Sequence, residues 1–388
     1  MRLYVVSGSY HPEVGGPSTY LRRLLPELIE RGHHVSVITY TDAKNSGIDD
    51  GFPYPVYRVS RSWPLTLRLV LFTINILWRA RNYDVLFVSD YGLPAILANL
   101  ILRKPIVLKN VSDFAWEYSI RHNWINKRQT IDEFQISRHG WRVRVLQKIR
   151  AWYTKKASLI IVPSKYIGKL VSGWGVSPDH IRVVYNALDY SRFDNLPNKI
   201  DARKTLGYSE KLPIVLTAAR LVSWKGVDSI IRTIAKIRDD FPRIHLMVAG
   251  DGPERGKLEK LAVESELSVQ FLGFKSQENL YHIMRAADMF VLFSTYEGMP
   301  HSVLEAMACG TPVVASSIGG TVEVITDQVN GLLVPAGNET ALADAIRQLL
   351  NQGSLAQKLS IGAGHTLQRF SWDSLIEKTE NSLLEVIN

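Results

Sequence analysis

Two glutamates, Glu297 and Glu305, stand on either side of a predicted helix start in the second half of the chain. The apolar run 289–293 is typical of a buried strand, so Glu297 belongs to the loop that leaves the strand's carboxyl end. Pro300 suits the first turn of the next helix, which leaves the amides of residues 301–303 without intrahelical acceptors. A helix end of this kind attracts phosphate. The spacing therefore suits a nucleotide diphosphate sugar lying across the helix start.

A surface helix with two solvated glutamates is the alternative interpretation of this stretch. The neighbouring residues argue against it, because apolar side chains recur at helical spacing from Val303 to Ala308. Gly310 can end that helix in a left-handed cap, and the run 312–315 enters another buried strand. The single cysteine, Cys309, lies on the apolar side of the helix, which favours a core residue and a reducing compartment.

The whole stretch from Tyr296 to Ser316 reads YEGMPHSVLEAMACGTPVVAS. It resembles the signature of the retaining glycosyltransferases of family 4, also called glycosyltransferase group 1. The resemblance implies the α/β fold GT-B, in which two Rossmann-like doubly wound domains face each other across a cleft. It also implies that Glu297 is catalytic at the donor sugar and that Glu305 binds the ribose hydroxyls. The other donor-binding residues implied in this stretch are Met299, His301, Ser302 and Val303.

Arg220 and Lys225 follow the predicted strand 214–218, in the loop before a helix that begins near residue 227. Two cations there can neutralise the charge that develops on a leaving diphosphate without help from a metal. Solvated surface cations are the alternative, and the match to the family's Arg and Lys positions favours catalytic roles. Neither an Asp-x-Asp motif at a strand end nor a Cys or His cluster occurs. We therefore expect no metal and no cofactor, with the nucleotide sugar as co-substrate.

Two further loops lie in the first half of the chain. Gly15 and Gly16 separate the first predicted strand from a helix, and the same loop in the family approaches the donor phosphates; a simple turn is the alternative. Asp113 follows the predicted strand 106–109, where many family members carry a histidine that faces the reacting sugar. This resemblance implies a catalytic role for Asp113, and a helix cap is the alternative.

Two more candidates complete the set. Gly273 and Phe274 follow the predicted strand 269–272, where the backbone of family members pairs with the nucleobase; an ordinary strand end is the alternative. Asn186 lies in the sequence Tyr-Asn-Ala-Leu-Asp, which resembles the family's Asn-Gly-Val-Asp loop at the crossing between domains. An alanine, Ala187, replaces the usual glycine of that loop.

The chain has 388 residues, of which 46% are hydrophobic, which is enough for two domains with separate cores. The polar stretch 194–200 predicts the boundary. We expect an acceptor-binding domain at 1–190, onto which a helix at 371–388 packs back, and a nucleotide-sugar-binding domain at 191–370. No run of about 18 apolar residues occurs, so we expect no membrane span and no signal peptide.

Positive charge is concentrated in the first half of the chain. Residues 1–189 hold 26 Lys and Arg against 14 Asp and Glu, a net charge of +12, whereas residues 190–388 have a net charge of −3. The stretches 52–81 and 119–156 combine arginines with tryptophans and other apolar residues. One interpretation is a core helix with solvated arginines, and the other is a helix lying in a membrane interface. The second predicts a cytoplasmic protein peripherally associated with the anionic inner face of the membrane.

The combined pattern predicts a retaining hexosyltransferase that moves a sugar from a nucleotide-diphosphate sugar to a glycan or lipid-linked glycan acceptor. The pathway implied is the biosynthesis of cell-surface polysaccharide. Another GT-B enzyme, such as a nucleotide-sugar epimerase or a phosphorylase, is one alternative. A second is nucleic-acid binding by the basic half, which we expect to be absent because the motifs in the other half point to a sugar donor.

Overall fold

The structure is a computed structural model that describes residues 1–13, 15–42, 51–89, 92–127 and 129–387. The chain forms two compact units. Unit 1 comprises Met1–Glu117, His139–Tyr185 and Asp373–Asn388, and unit 2 comprises Tyr118–Arg138 and Asn186–Trp372. The main crossing from unit 1 to unit 2 therefore falls at Tyr185 and Asn186, just before the boundary expected at residue 190.

Thirteen strands form two parallel sheets in the described residues. The strands of the sheet in unit 1 are β1 (Arg2–Val6), β2 (His34–Thr41), β3 (Val56–Ser60), β4 (Val85–Val88), β5 (Ile106–Lys109), β6 (Leu159–Val162) and β7 (Ile181–Val183). The strands of the sheet in unit 2 are β8 (Ile214–Ala218), β9 (His245–Ala249), β10 (Val269–Gly273), β11 (Met289–Leu292), β12 (Val313–Ser316) and β13 (Leu332–Val334).

Helices connect these strands. The helices of the first half are α1 (Gly16–Glu30), α2 (Leu65–Arg79), α3 (Gly92–Leu102), α4 (Phe114–Arg121), α5 (Ile131–Ile136), α6 (Trp141–Lys155) and α7 (Lys165–Gly173). Those of the second half are α8 (Lys199–Thr205), α9 (Val227–Ile237), α10 (Arg255–Glu264), α11 (Gln277–Ala286), α12 (His301–Ala308), α13 (Thr321–Val324), α14 (Glu339–Asn351), α15 (Gly353–Leu367) and α16 (Trp372–Glu385). The alternation of strand and helix is the doubly wound α/β arrangement that the sequence predicted.

The sheet of unit 1 has the strand order β3-β2-β1-β4-β5-β6-β7. Its central strands are buried on both faces, because helices cover both sides of a parallel sheet. This burial explains why these strands are continuous apolar runs in the sequence. The direction of strand addition reverses between β1 and β4, and ligands of open α/β sheets bind outside the carboxyl ends of the strands at such a point. The glycine loop follows β1, so Gly15 and Gly16 lie at this reversal.

The sheet of unit 2 has the order β10-β9-β8-β11-β12-β13. The order reverses between β8 and β11, which pair in parallel with Leu216 opposite Phe290. The loop that carries Lys225 and the loop that carries Glu297 leave these two neighbouring strands at the same edge. Packing of α9 and α14 against the sheet buries Val215, Ile230 and Leu246 completely. Burial of each such side chain contributes about 1.5–3 kcal/mol, so the strands that position the site are held firmly.

The C-terminal helix α16 belongs to unit 1 from Asp373 onward. The Glu380 carboxylate accepts a hydrogen bond from Arg31 at 2.6 Å and contacts the His33 ring at 2.6 Å. The Tyr20 hydroxyl lies 3.3 Å from the Thr379 hydroxyl in the buried seam between α1 and α16. These contacts fix α16 against α1 and explain why the end of the chain is part of unit 1.

The segment Tyr118–Arg138 belongs to unit 2, although its position in the sequence put it in the first predicted domain. Lys127 donates a hydrogen bond to Glu254 at 3.2 Å, and this ion pair joins the segment to the loop before α10. A contact between residues so far apart in the chain leaves no local signal in the sequence. In the part of the chain that is described, no helix has both the length and the apolar character needed to cross a bilayer.

Candidate functional site at the carboxyl edge of unit 2

Lys225 and Glu297, which the sequence placed on separate loops, form an ion pair. The Lys225 ammonium donates to Glu297 Oε1 at 2.6 Å. The Ser294 hydroxyl donates to the same oxygen, also at 2.6 Å, and Glu297 retains only 6% of its surface. Two donors on one buried carboxylate oxygen fix its position. Ser294 was not a candidate from the sequence, although a polar residue directly after a buried apolar strand is a usable signal.

The Lys225 loop is fixed by a glycine with a positive φ. Residues Ser223–Lys225 form a short 3-10 turn, and Gly226 follows with φ 64°. A β-carbon at Gly226 would lie 2.1 Å from the backbone oxygen of Phe293, at the end of β11. Only glycine permits this approach of the two loops, because L-residues rarely adopt this φ and any side chain would overlap the carbonyl. The close packing brings Lys225 to Glu297.

Arg220 lies on the same loop, nearer to β8, and is exposed. Within the described ranges, its guanidinium makes no hydrogen bond or ion pair with the protein. Lys225 is therefore held against Glu297, whereas Arg220 is free to meet a ligand. The two cations differ in their partners, and a diphosphate contacting both would compete with Glu297 for Lys225.

The helix α12 begins at His301, with Pro300 as its N-cap residue. This differs by one position from the expectation that Pro300 occupies the first turn, because ψ of Pro300 is 102°, outside the helical range. The amides of Ser302 and Val303 lie in the first turn, where an α-helix provides no acceptor of its own. Met299 is buried just before the helix, and its sulfur accepts a hydrogen bond from the backbone amide of Asn186 at 3.4 Å. The predicted Asn186 and Met299 thus touch within unit 2.

Glu305 lies in α12 and accepts hydrogen bonds from α11. Its Oε1 accepts from the Tyr281 hydroxyl at 3.1 Å and from Gln277 at 3.5 Å. Phe193 packs on Tyr281 with 4.5 Å between ring centroids, and Arg192 donates to the Gln277 oxygen at 2.6 Å. Burial raises the pKa of Glu305 to about 7. Gln277 and Tyr281 were not among the site residues predicted from the sequence, although their i,i+4 spacing puts them on one face of a helix.

A second glycine packs beneath Glu297. The amide of Gly320 donates to the backbone oxygen of Glu297 at 2.9 Å, and a β-carbon at Gly320 would lie 2.0 Å from the oxygen of Gly298. The Glu297 loop is therefore enclosed by β11 on one side and by the turn before α13 on the other. Gly273 ends β10 with φ 65°, and Phe274 after it is exposed. Both predicted nucleobase residues thus lie at the carboxyl edge of the same sheet.

In unit 1 the geometry of Asp113 differs from the predicted catalytic role. Its carboxylate has no exposed surface and forms an ion pair with the buried Arg150. Its Oδ1 accepts from the amides of Ala115 at 2.9 Å and Trp116 at 3.3 Å. Asp113 is thus the cap of α4, which was the alternative interpretation. Complete burial and the pairing with Arg150 favour this capping role over the predicted contact with the reacting sugar.

Gly15 and Gly16 have room around them. Gly15 is the N-cap of α1 with an extended φ of 172°, and a β-carbon at either glycine would meet no atom of the described residues within 4 Å. Neither backbone strain nor crowding by the described residues requires glycine there. Their lack of a side chain leaves the start of α1 accessible from outside the chain.

Comparison with known proteins agrees with this geometry. A family model described as glycosyl transferases group 1 matches residues 198–365, and a second, described as glycosyltransferase family 4, matches residues 14–192. This chain belongs to the group 1, family 4 glycosyltransferases. The membership of family 4, group 1 that the sequence predicted is thereby confirmed.

An uncharacterized glycosyltransferase of Methanocaldococcus jannaschii is 29% identical over 98% of this glycosyltransferase and 97% of the relative. A GDP-mannose-dependent monoacylated α-(1-6)-phosphatidylinositol monomannoside mannosyltransferase of Corynebacterium glutamicum is 24% identical over 98% and 97%. The crystal structure of Anabaena HepE in complex with UDP superposes with a TM-score of 0.80 at 22% identity, covering 99% of this chain and 100% of the other. Such structural likeness shows the fold, and the predicted GT-B class with two Rossmann-like domains is confirmed.

Proposed function

We propose that this glycosyltransferase moves a hexose, with retention of anomeric configuration, from a nucleoside-diphosphate sugar to a glycan or lipid-linked glycan acceptor. The observation that carries the proposal is the pairing of Lys225 with Glu297 at the strand reversal of unit 2. The exposed Arg220 lies on the same loop as Lys225, and its guanidinium has no hydrogen-bond or ion-pair partner among the described residues. A cation pair at the carboxyl edge suits a diphosphate, and a buried carboxylate next to it suits sugar hydroxyls.

The donor would lie along the edge of unit 2. Lys225 and Arg220 would hold the diphosphate, the first-turn amides of α12 would donate to its oxygens, and Glu297 would position the sugar. The Glu305 carboxylate would accept hydrogen bonds from the ribose hydroxyls in place of the one from Tyr281. Gly273 and Phe274 would border the nucleobase. The relatives support a nucleotide donor, since HepE binds UDP and the Corynebacterium enzyme is named for GDP-mannose.

The reaction breaks the bond between the anomeric carbon and the diphosphate oxygen and forms one to an acceptor hydroxyl oxygen. When the transfer is a single displacement without a covalent glycosyl-enzyme, retention requires that the acceptor attack from the face that the diphosphate leaves. In that geometry the departing phosphate oxygen accepts the proton of the acceptor hydroxyl, so no separate base is needed. The cations of Arg220 and Lys225 stabilise the negative charge as it grows, and their effect falls on the rate more than on binding. We propose that this step proceeds without a metal.

We assign the acceptor to unit 1. Its positive charge suits an anionic lipid carrier at the cytoplasmic leaflet of the membrane, and the Corynebacterium relative is named for a phosphatidylinositol mannoside acceptor. Gly15 and Gly16 leave the start of α1 in unit 1 open to a ligand. Growth of cell-surface polysaccharide would follow from a lipid-linked acceptor.

A donor panel tests the proposal. The protein is incubated with UDP-, GDP- and ADP-hexoses, with and without lipid-linked glycans, and nucleotide release is measured together with the anomeric configuration of the product. We expect acceptor-dependent release from one donor and a product of unchanged anomeric configuration. Release of epimerised free sugar, phosphate-dependent cleavage of a glycan, or no release from any donor would contradict the proposal.

A further inference from the structure

An apolar surface covers the outer side of three neighbouring helices in unit 1. Helix α2 packs against α3, and α3 packs against α6, so the three lie side by side. None of the three contains an aspartate or a glutamate. We call the outward side of α2, α3 and α6 the three-helix face.

Helix α2 is apolar on two opposite sides. Phe72 and Ile76 point inward and are completely buried. Its outward stripe holds Leu67, Val70, Ile74 and Trp78, which recur at helical spacing and are exposed, Trp78 to 73%. The outward side of a helix on a globular domain is normally polar. An exposed Trp78 alone presents on the order of 150 Å² of largely apolar surface, so the stripe exceeds what scattered surface residues provide.

The other two helices continue the same character. Leu100 and Ile101 are exposed at the end of α3, Ile101 to 69%. Trp141, Val145 and Trp152 form a second exposed stripe along α6, with Trp141 exposed to 66%. Apolar anchors therefore lie on each of the three helices, and tryptophan occurs on both outer ones, α2 and α6.

Cations without acidic partners border these apolar residues. Five of them lie on or directly after the three helices, and within the described part of the chain none forms an ion pair with an acid: Arg81, Arg103, Arg144, Lys148 and Lys155. Because no acid interrupts the face, an anionic partner meets attraction without local repulsion. A second copy of the chain, docked by two-fold symmetry, would instead set these cations against their own equivalents.

We propose that the three-helix face is the surface by which this protein docks on an anionic lipid bilayer, with Trp78, Ile101 and Trp141 entering the interface and the flanking cations contacting the headgroups. Tryptophan favours the boundary between headgroups and acyl chains, and arginine and lysine extend their charge toward the phosphates. This inference gives a definite location to the membrane encounter that the proposed lipid-linked acceptor requires.

Vesicle sedimentation of the full chain tests the location. The wild type and the double variant Val70→Glu with Ile74→Glu are mixed with phosphatidylcholine vesicles that contain phosphatidylglycerol, or with phosphatidylcholine alone. We expect the wild type to sediment with the anionic vesicles only, and less so as the salt concentration rises. The double variant should bind these vesicles at least about tenfold more weakly than the wild type does. Val263→Glu, which changes an apolar residue exposed to 78% on α10 of unit 2, should bind as the wild type does.

A labelling experiment avoids dependence on a charged variant. Cys309 is buried, so a cysteine introduced by Trp78→Cys reacts selectively with a polarity-sensitive dye. Its emission should shift to the blue with anionic vesicles, whereas dye on Ile361→Cys, an exposed position on α15, should not respond. Equal binding by the wild type and the double variant, or no shift at Trp78→Cys, would overturn the inference.

Two further outcomes separate this inference from the proposed function. Nucleotide release measured without vesicles should be equal in the wild type and the double variant, because α2 lies outside the donor site. A wild type that releases nucleotide but ignores vesicles would overturn the docking surface and leave the transfer reaction standing. A dimer in light scattering that the double variant abolishes, without vesicle binding, would assign the face to self-association instead.

Discussion

Two helical surfaces of this glycosyltransferase, α9 and α14 of unit 2 and the three-helix face of unit 1, use charge in different ways. In unit 2, Arg232 and Lys236 of α9 both pair with Glu339 of α14, at 2.8 and 2.7 Å, and the buried Arg203 pairs with Asp288 at 2.7 Å. In unit 1, α2 and α6 carry cations, and neither these helices nor α3 contain an acid. The five unpaired cations of the three-helix face contribute to the net charge of +12 in the first half of the chain, and none of them has an acidic partner among the described residues. The charges of α9 and α14 stabilise the structure of unit 2, whereas the unpaired cations of the three-helix face are available to a partner.

The same contrast holds for glycine. Gly226 and Gly320 in unit 2 are required by close backbone contacts that shape the donor site. Gly15 and Gly16 in unit 1 lie in open space among the described residues. Unit 2 presents a site fixed by its own packing, and unit 1 presents surfaces open to other molecules. Substitutions should therefore affect folding in the first case and binding in the second.

The largest effect should come from Gly226→Ala. Alanine would place a β-carbon 2.1 Å from the Phe293 oxygen at a φ of 64°, so we expect the free energy of unfolding to fall by about 3 kcal/mol or more. Gly15→Ala should change it by less than about 0.5 kcal/mol. Urea unfolding of both variants measures the difference. Similar losses in the two variants would remove the distinction between the units.

A second, smaller effect concerns Glu305. Because burial raises its pKa to about 7 from an ordinary 4.5, the folded protein binds a proton more tightly than the unfolded chain between these two pH values. The stability of the wild type should therefore fall as the pH rises through this window. Glu305→Gln, which stays neutral, should be more stable than the wild type by about 1–3 kcal/mol near pH 8 and equal to it near pH 4.

Unfolding of Glu305→Gln at both pH values measures the effect, with Glu278→Gln as the control. Glu278 is exposed on α11, the helix that carries Gln277 and Tyr281, and its substitution should give no pH-dependent difference. A stability difference for Glu305→Gln that is the same near pH 4 and pH 8 would show that the carboxylate titrates normally.

The smallest effect should separate the paired and unpaired cations. A double-mutant cycle on Lys236 and Glu339 should give a coupling energy of about 0.5 kcal/mol, as half-exposed ion pairs do. Lys148→Ala on α6 should leave stability unchanged within about 0.3 kcal/mol, since the ammonium has no acidic partner in the described chain. A Lys148 contribution as large as the coupling energy would mean that the three-helix face also uses its cations for folding.

Much of this arrangement could be predicted from the sequence. Buried apolar strands, glycine turns and the motif around Glu297 defined both sheets, and Lys225 and Glu297 could be placed at one edge because each follows a parallel strand. Which strands are neighbours is not a local property, however, so their direct ion pair could not be predicted. The partners of Glu305 depend on how α11 is rotated against α12, which periodicity alone does not fix.

Asp113 and α2 show two other limits. A carboxylate after a strand predicts a catalytic loop and a helix cap equally well, and only the position of Arg150 decides between them. The sequence shows that α2 contains no acid. Because two opposite sides of this helix are apolar, however, the sequence does not show which of them faces the solvent. The side that faces the solvent is set by packing against α3, which is a tertiary contact.

The most direct test of the central claim is the transfer rate of Lys225→Ala measured in a single turnover, together with the nucleotide dissociation constant. We predict that the rate falls by about 10²–10³, because Lys225 meets charge that grows in the transition state, while the dissociation constant changes by less than about tenfold. Lys236→Ala, on α9 and outside the site, serves as the control and should match the wild type in both. An unchanged rate, or a rate that falls only in proportion to weaker nucleotide binding, would contradict the role of Lys225 at the leaving diphosphate.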